Sequence, residues 1–301
     1  MKRKIVQHGS SSLTITLPKK WVDKYKLKKG DEVNVDDSSA TVMVSTEKET
    51  ALSKKEFHAQ TSGVFTKNNL SHLYQLGYDE IEIKFDDPHT LDEIKERVPN
   101  LIGFEIIDQK ENKVYIKSIT NTLESDFDLL LRKSFQITNE LAKDTLTALE
   151  KSNFSRLTEL KNMELLNNKF TDVCLRILNK RGYKHDKKVM QIYEVVKNVE
   201  RIADQFKYIG NIFQNHNKKI DKELLISFKE AINYYLDFYQ MFYKFDPKLK
   251  EKIYLHRKKM IKKYLSQLEK SKGNDSLFLH YIISLVEKTY EGAGAYFALV
   301  L

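Results

Sequence analysis

The order of apolar and polar residues gives the first fifty positions a period of two. Residues 13–17, 32–35 and 41–44 follow this period, which predicts three short strands. Between the first two, residues 18–25 begin with a proline and suit one helical turn, and Gly30 marks the turn that follows. Because so few strands cannot enclose a core alone, we expect this segment to dimerise.

The middle of the chain alternates short helices with short strands. The pattern predicts helices over 69–77 and from Thr90 to the residue before Pro99, and strands over 80–85, 104–108 and 114–117. Thr90 and Glu93 have the spacing of a capping box, in which a hydroxyl and a carboxylate satisfy each other's backbone amides, so we expect the second helix to begin at Thr90. This segment is predicted to be a small α/β domain.

After residue 123, glycine and proline become scarce and apolar residues recur at helical spacing. The clearest apolar stripe comprises Ile192, Val195, Val196, Val199, Ile202, Phe206, Ile209 and Phe213. The predicted breaks between helices lie near Asn153, Gly182, Asn215, Pro247 and Gly273, which divides this half into about six helices. The fold class is therefore α+β, with predicted domains at residues 1–50, 51–120 and 121–301.

The composition limits the class of protein. Hydrophobic residues make up 41% and mean hydropathy is −0.52, values typical of a globular protein that folds without lipid. No apolar run reaches the ~20 residues that span a bilayer, and the basic start lacks the apolar core of a signal peptide, so we expect a cytoplasmic protein without membrane insertion. Cys174 is the only cysteine, and no phosphate loop, nucleophile elbow or acid–base pair is found. We therefore expect no enzymatic activity.

The positive charge of the chain is unevenly distributed. Residues 1–30 contain nine Lys and Arg residues against Asp23 alone, a net charge of +8 within a total of +9. Residues 31–120 are acidic, and residues 121–301 are again basic. A short basic segment beside an acidic one is expected of a surface for the phosphate backbone of nucleic acid. Charge alone equally allows a solubilising surface.

The stretch from Gly9 to Val35 resembles the SpoVT-AbrB family, which includes bacterial antitoxins of the MazE type. The resemblance consists of a small-residue turn, a strand ending at Pro18, a short helix, and the signature Leu-Lys-Lys-Gly-Asp-Glu-Val over residues 27–33. It implies a dimer of swapped β-hairpins that forms a β-barrel and binds DNA.

The same resemblance implies which basic residues face DNA. By position they are Arg3 and Lys4 on the first strand and Lys19, Lys20 and Lys24 around the helix. Arginines typical of the family are replaced here by Lys, Ser or Thr. Because Lys cannot make the bidentate contact to guanine that Arg makes, the set indicates affinity for DNA more than sequence specificity.

The stretch Val-Glu-Arg-Ile-Ala-Asp-Gln over residues 199–205 is similar to the Glu-Arg-Ile-Gly-Asp motif of PhoU proteins, with Ala203 in place of glycine. A second copy, Val-Glu-Lys-Thr-Tyr-Glu, follows at residues 286–291, and the neighbouring apolar positions repeat at the same offset. The resemblance implies a PhoU-like six-helix bundle built from two three-helix repeats, at about 121–215 and 216–301.

In PhoU-like proteins such acidic pairs hold iron- or zinc-type clusters on the bundle surface. The resemblance therefore implies an iron, zinc or manganese site at Glu200 and Asp204, and a second at Glu287 and Glu291. Carboxylates at i and i+4 share one helical face and can reach a single cation, and the apolar stripe places the first pair on an outer face. An ordinary solvated acidic pair has the same spacing.

Together these features predict a DNA-binding transcriptional regulator of phosphate uptake or metal homeostasis. Its N-terminal homodimer would hold double-stranded DNA, while a PhoU-like sensor responds to a metal, a phosphate-linked ligand or a partner protein. The alternative is a PhoU-type interaction protein that regulates a phosphate transporter or its signalling kinase without binding DNA. An antitoxin is the third interpretation, which the N-terminal segment suits and the long helical half does not.

Overall fold

The computed structural model describes residues 2–38, 41–46, 53–59, 64–120, 126–183, 188–214 and 219–301. The chain forms two compact units, residues 1–54 and 55–301, called here the head and the body. The head consists of short strands and one short helix, and the body is mainly helical, which confirms the predicted α+β class. The predicted boundary at 120/121 stays a prediction, because the body contains both segments.

In its described residues the head contains two separate pairs of strands and one short helix. Its elements are β1 (Val6–His8), β2 (Ser12–Thr14), α1 (Lys19–Lys24), β3 (Asn34–Ser38) and β4 (Thr41–Ser45). Both strand pairs are antiparallel, with Val6 opposite Thr14 and Val35 opposite Val44. The turn between β1 and β2 contains Gly9 at a φ of +72°, a left-handed conformation that a side chain disfavours. The barrel implied by the family resemblance stays a prediction.

No side chain described between residues 2 and 35 is buried. Leu13, Ile15 and Val35 expose 70%, 58% and 60% of their surface. Burying an aliphatic side chain of this size contributes about 1.5–3 kcal/mol, and this segment gains little of that from its own packing. These exposed side chains support the expectation that the head folds against a partner copy.

The first part of the body is a four-stranded sheet with two helices. Its elements are β5 (Lys54–Ala59), α2 (Val64–Gln75), β6 (Glu80–Phe85), α3 (His89–Arg97), a 3-10 turn (Val98–Asn100), β7 (Phe104–Lys110) and β8 (Lys113–Ser118). The strand order is β5-β6-β8-β7, and β8 is antiparallel to both of its neighbours. Strand β6 has the predicted bounds, and its Ile81 and Ile83 are fully buried opposite Ile116 and Val114.

The predicted capping box at Thr90 is wrong. Helix α3 begins one residue earlier, at His89, and the amide of His89 donates to the Asp87 carboxylate at 2.9 Å. Thr90 is buried inside the first turn, and its hydroxyl finds no partner in the described part of the chain. Thr90 and Glu93 have the spacing of a capping box, but the Asp87 carboxylate accepts from the first amide of the helix instead.

The rest of the body contains, within the described ranges, six long helices. These are α4 (Phe127–Glu150), α5 (Ser155–Arg181), α6 (Val189–Phe213), α7 (Lys222–Tyr243), α8 (Pro247–Leu268) and α9 (Asn274–Val300). Three of the predicted breaks fall between these helices, Pro247 is the first residue of α8, and the break at Asn215 lies outside the described residues. Every member of the predicted apolar stripe on α6 is buried. Helix α5 packs against α4 and α6, α8 packs in the same way against α7 and α9, and α6 contacts α9.

A buried guanidinium joins the sheet to the helices. Arg176 on α5 donates to the backbone carbonyls of Tyr74 and Tyr78 at 3.0 and 2.7 Å, and it pairs with the Asp79 carboxylate. The same carboxylate accepts from Lys180 at 2.8 Å. Arg176 and Asp79 are 6% and 4% exposed, so the ion pair has little contact with water. Helix α5 is therefore tied to the chain segment that links α2 to β6.

We expect Arg176→Met to lower the free energy of unfolding by about 3 kcal/mol, because the substitution removes the donor from two buried carbonyls and one of the two cations that contact the buried Asp79 carboxylate. Urea denaturation of the full chain measures this loss. Lys180→Met is the matched control and should cost less, because Arg176 still neutralises Asp79. Equal losses in the two variants would contradict the assignment of Arg176 as the principal tie.

We also expect Ile15→Asp to shift the full-length chain from dimer to monomer in sedimentation equilibrium, because a charge would occupy an apolar contact between two heads. Leu277→Asp is the control, since Leu277 is half exposed on α9 in the body. A wild-type chain that sediments as a monomer at micromolar concentration would rule out the dimer.

Candidate nucleic-acid interface

The first hairpin brings the N-terminal basic residues close to the start of α1. The register that pairs Val6 with Thr14 places residue 4 opposite Thr16, and Arg3 donates to the Thr16 hydroxyl at 3.3 Å. Lys19 lies three residues after Thr16, a distance of at most about 11 Å along extended chain. The hairpin thus gathers Arg3, Lys4 and the first lysines of α1 into one region.

Local sequence explains why the lysines of α1 remain exposed. The helix starts after Pro18, whose carbonyl accepts from the amides of Trp21 and Val22 at 2.9 and 3.0 Å. Trp21 and Tyr25 lie one turn apart with ring centroids 5.3 Å from each other, and both rings are half buried. Lys20 and Lys24 form another i, i+4 pair, which remains exposed.

The five cations predicted to contact DNA are all exposed: Arg3, Lys4, Lys19, Lys20 and Lys24. In the part of the head that the structure describes, none of the five forms an ion pair, and Lys24 instead lies 5.2 Å from the centroid of the Tyr25 ring. The nearby Asp31 carboxylate accepts from the backbone amide of Lys28. The result is a positive surface that can attract phosphate.

The first predicted metal pair does not lie on an open outer face, which corrects the expectation from the sequence. Glu200 and Asp204 keep only 23% and 22% of their side-chain surface exposed. Glu200 pairs with Lys197, and Asp204 pairs with Lys207. Lys207 also reaches Glu164 on α5 at 2.7 Å, so an ammonium bridges acids from two helices.

Burial and hydrogen bonding shape the ionisation of this bridge. Burial raises the pKa of Glu164, whose side chain is 2% exposed, although the hydrogen bond from Lys207 opposes that shift. Burial lowers the pKa of Lys207, but its hydrogen bonds to Asp204 and Glu164 outweigh that effect and raise the pKa overall. The ammonium is therefore held in its charged form.

The second predicted metal pair is also neutralised by cations. Arg257 on α8 contacts Glu287 through Nε at 2.8 Å and Nη2 at 2.7 Å, and Lys288 contacts Glu291 at 2.8 Å. Among the described residues, no group of three or more His, Cys, Asp or Glu side chains is arranged to hold a metal ion. Metal binding by Glu200, Asp204, Glu287 and Glu291 stays a prediction.

Sequence reasoning missed a polar groove of about 380 Å³ between α2, α3, the 3-10 turn, α5 and α6. Arg97 crosses it and donates to Asp172 at 2.8 Å and to Ser71 at 2.7 Å. Burial raises the pKa of Asp172 to about 6, against the opposing effect of Arg97. The sequence signal that could have revealed this contact is the position of the charged Asp172 at the start of the apolar run 173–178, which Arg176 interrupts. Glu200 lies in the same groove.

Comparison with known proteins identifies part of the head. Residues 6–49 match the model of the antidote-toxin recognition family MazE, a bacterial antitoxin. This match supports the predicted AbrB-like domain and is consistent with a DNA-binding or antidote-type regulator. Neither the curated proteins nor the solved structures include a significant match to the chain. Among the described helices, none combines the length and apolar character that crossing a membrane requires.

We expect Lys207→Met to lower the free energy of unfolding by about 3 kcal/mol, because it leaves the buried Glu164 carboxylate without its cation. The loss should shrink as the pH falls, since Glu164 has a raised pKa and becomes neutral on protonation. Thermal unfolding between pH 8 and pH 5 measures this trend. Lys197→Met is the control, because it removes the cation from the more exposed Glu200.

The same variant tests the metal prediction. If Glu200 and Asp204 can coordinate a cation, Mn²⁺ or Zn²⁺ should raise the melting temperature of Lys207→Met more than that of the wild type, because the ammonium no longer competes for the Asp204 oxygens. Unchanged melting of both proteins at millimolar metal would reject a metal site at this pair.

Proposed function

We propose that this chain is a DNA-binding transcriptional regulator whose head binds duplex DNA as a homodimer. The observation that carries the proposal is the exposed cation set of Arg3, Lys4, Lys19, Lys20 and Lys24, within and just before a segment that matches a MazE-like domain. Phosphate contacts by lysine supply affinity that depends strongly on salt and little on sequence.

The body is proposed to be the sensor of this regulator. Its resemblance to PhoU, through residues 199–205 and the second copy at 286–291, is the basis for assigning the regulated process to phosphate uptake or metal homeostasis. Any iron, zinc or manganese ion at the acidic pairs would have to displace the cations now paired with them. The polar groove beside Glu200 offers a second place at which a small ligand could act on the body.

A second candidate function is that of an antidote to a toxin, which the family match over residues 6–49 favours. A stable complex with a separately encoded toxin, isolated with the full chain, would distinguish this function. The alternative of a PhoU-type protein acting on a phosphate transporter or its kinase predicts a chain that does not bind DNA.

We expect Lys19→Ala/Lys20→Ala to reduce the slope of log affinity against log salt by roughly two units, at about 0.9 unit for each phosphate that is no longer neutralised. Fluorescence anisotropy with a labelled duplex and the full chain measures the slope. Lys133→Ala/Lys143→Ala removes the same charge from exposed sites on α4 and should leave the slope unchanged. Absence of duplex binding by the wild type at low salt would reject the proposed function.

A further inference from the structure

Helix α8 carries most of the positive charge of the helical part of the body. It contains eight Lys and Arg residues and one acid, Glu251, whereas residues 121–301 as a whole have a net charge of +9. Only Ile253 and Tyr264 are fully buried on this helix, so it lies at an edge of the bundle. Helix α8 has a net charge of +7, whereas the next most positive of the long helices, α5, has a net charge of +3.

Three of these cations serve to attach α8 to its neighbours. Lys252 pairs with Asp237 at 2.6 Å, and Lys263 pairs with Glu230 at 2.7 Å, both on α7. Arg257 pairs with Glu287 on α9. These contacts account for the cations on the flanks of the helix, and they fix its rotation relative to the bundle.

Four further cations, called here the α8 lysines, are Lys248, Lys258, Lys259 and Lys262. All four are exposed, and the described residues provide none of them with an ion pair. At 100° per residue they lie within about 50° of the direction opposite Ile253 and Tyr264. They therefore lie on one outward face about 21 Å long at 1.5 Å per residue, which they share with the exposed Glu251 and Leu255 between Lys248 and Lys258.

The corresponding helix in the first half of the bundle has its outer side covered. Helix α5 relates to α4 and α6 as α8 relates to α7 and α9, but α5 also packs against α2. That contact uses Asp172 and Arg176, which bind Gln75 and the carbonyl of Tyr74. On α8 the outward positions hold lysines in contact with solvent.

The chemistry of this face favours nucleic acid over a protein or a membrane. Protein interfaces are depleted of lysine, whereas interfaces with DNA are strongly positive. A helix that binds a membrane surface inserts its apolar side, and the apolar side of α8, with Ile253, Met260 and Tyr264, packs inside the bundle. The exposed Leu255 and Leu265 are scattered single residues of the kind common on protein surfaces.

We propose that the α8 lysines form a second contact surface for double-stranded DNA, one that binds the phosphate backbone without reading sequence. This inference extends the proposed function, because the head would bring the body to DNA and raise the effective concentration of α8 beside it. Lysine suits the role because it is a point charge without the planar fork that reads guanine.

The test compares three variants of the full chain on a labelled 30-base-pair duplex of arbitrary sequence. Lys258→Ala/Lys259→Ala/Lys262→Ala should reduce the salt slope by about 2.7 units, at about 0.9 unit for each phosphate that is no longer neutralised. Lys133→Ala/Lys143→Ala/Lys151→Ala removes the same charge from exposed sites on and next to α4 and should keep the wild-type slope. Replacement of the same three α8 residues by Arg should keep it as well, because charge is retained.

A slope equal to that of the α4 control would overturn the inference, provided that circular dichroism shows both variants folded. Loss of binding to anionic lipid vesicles, with DNA binding intact, would also overturn it and would assign α8 to a membrane surface. A different result would show that the proposed function, DNA binding by the head, is wrong. Lys19→Ala/Lys20→Ala would then bind DNA as the wild type does, while the α8 variant alone would lose affinity.

Discussion

The arrangement of the body depends on one buried guanidinium that cannot be separated from its partners. Arg176 reaches from α5 to Asp79 and to two carbonyls beside it, and moving the sheet away from α5 would leave these groups buried without hydrogen bonds. Helix α2 and the segment that follows it therefore stay packed on α5, and the polar groove with Arg97 and Asp172 forms where α2 and α3 meet α5 and α6. A ligand in that groove would touch both parts of the body at once.

In the body, acidic side chains at helix contacts are paired with cations, whereas the surplus of basic side chains lies on the surface. Acids that face another helix are neutralised by Lys or Arg, as Glu164 is by Lys207 and Glu287 is by Arg257. Since Glu200, Asp204, Glu287 and Glu291 are each paired with a Lys or Arg, they add little negative potential to the surface. The remaining positive charge is displayed on α8 and, separately, on the head. Both surfaces are suited to the same kind of polyanion.

Sequence patterns predicted the elements more reliably than the contacts between them. The bounds of β6 and the stripe of α6 followed from periodicity, because one face of each element must be buried. The cap of α3 was misassigned because Asp87 competes with Thr90, a choice decided by backbone geometry. The exposure of Glu200 was overestimated because helical periodicity gives the angular position of a side chain around its own helix. It does not show whether a neighbouring helix covers that side. The tie between Arg176 and Asp79 spans 97 residues, and no local pattern encodes it.

The absence of buried side chains between residues 2 and 35 has a consequence for how DNA occupancy depends on the concentration of this protein. If the head folds only as a dimer, the equilibrium concentration of the dimer grows with the square of the concentration of unpaired chains. While most chains are unpaired, halving their number would reduce the concentration of the dimer to about one quarter. Occupancy of a genomic site would then respond more steeply to synthesis and degradation than it would for a protein whose head folds alone.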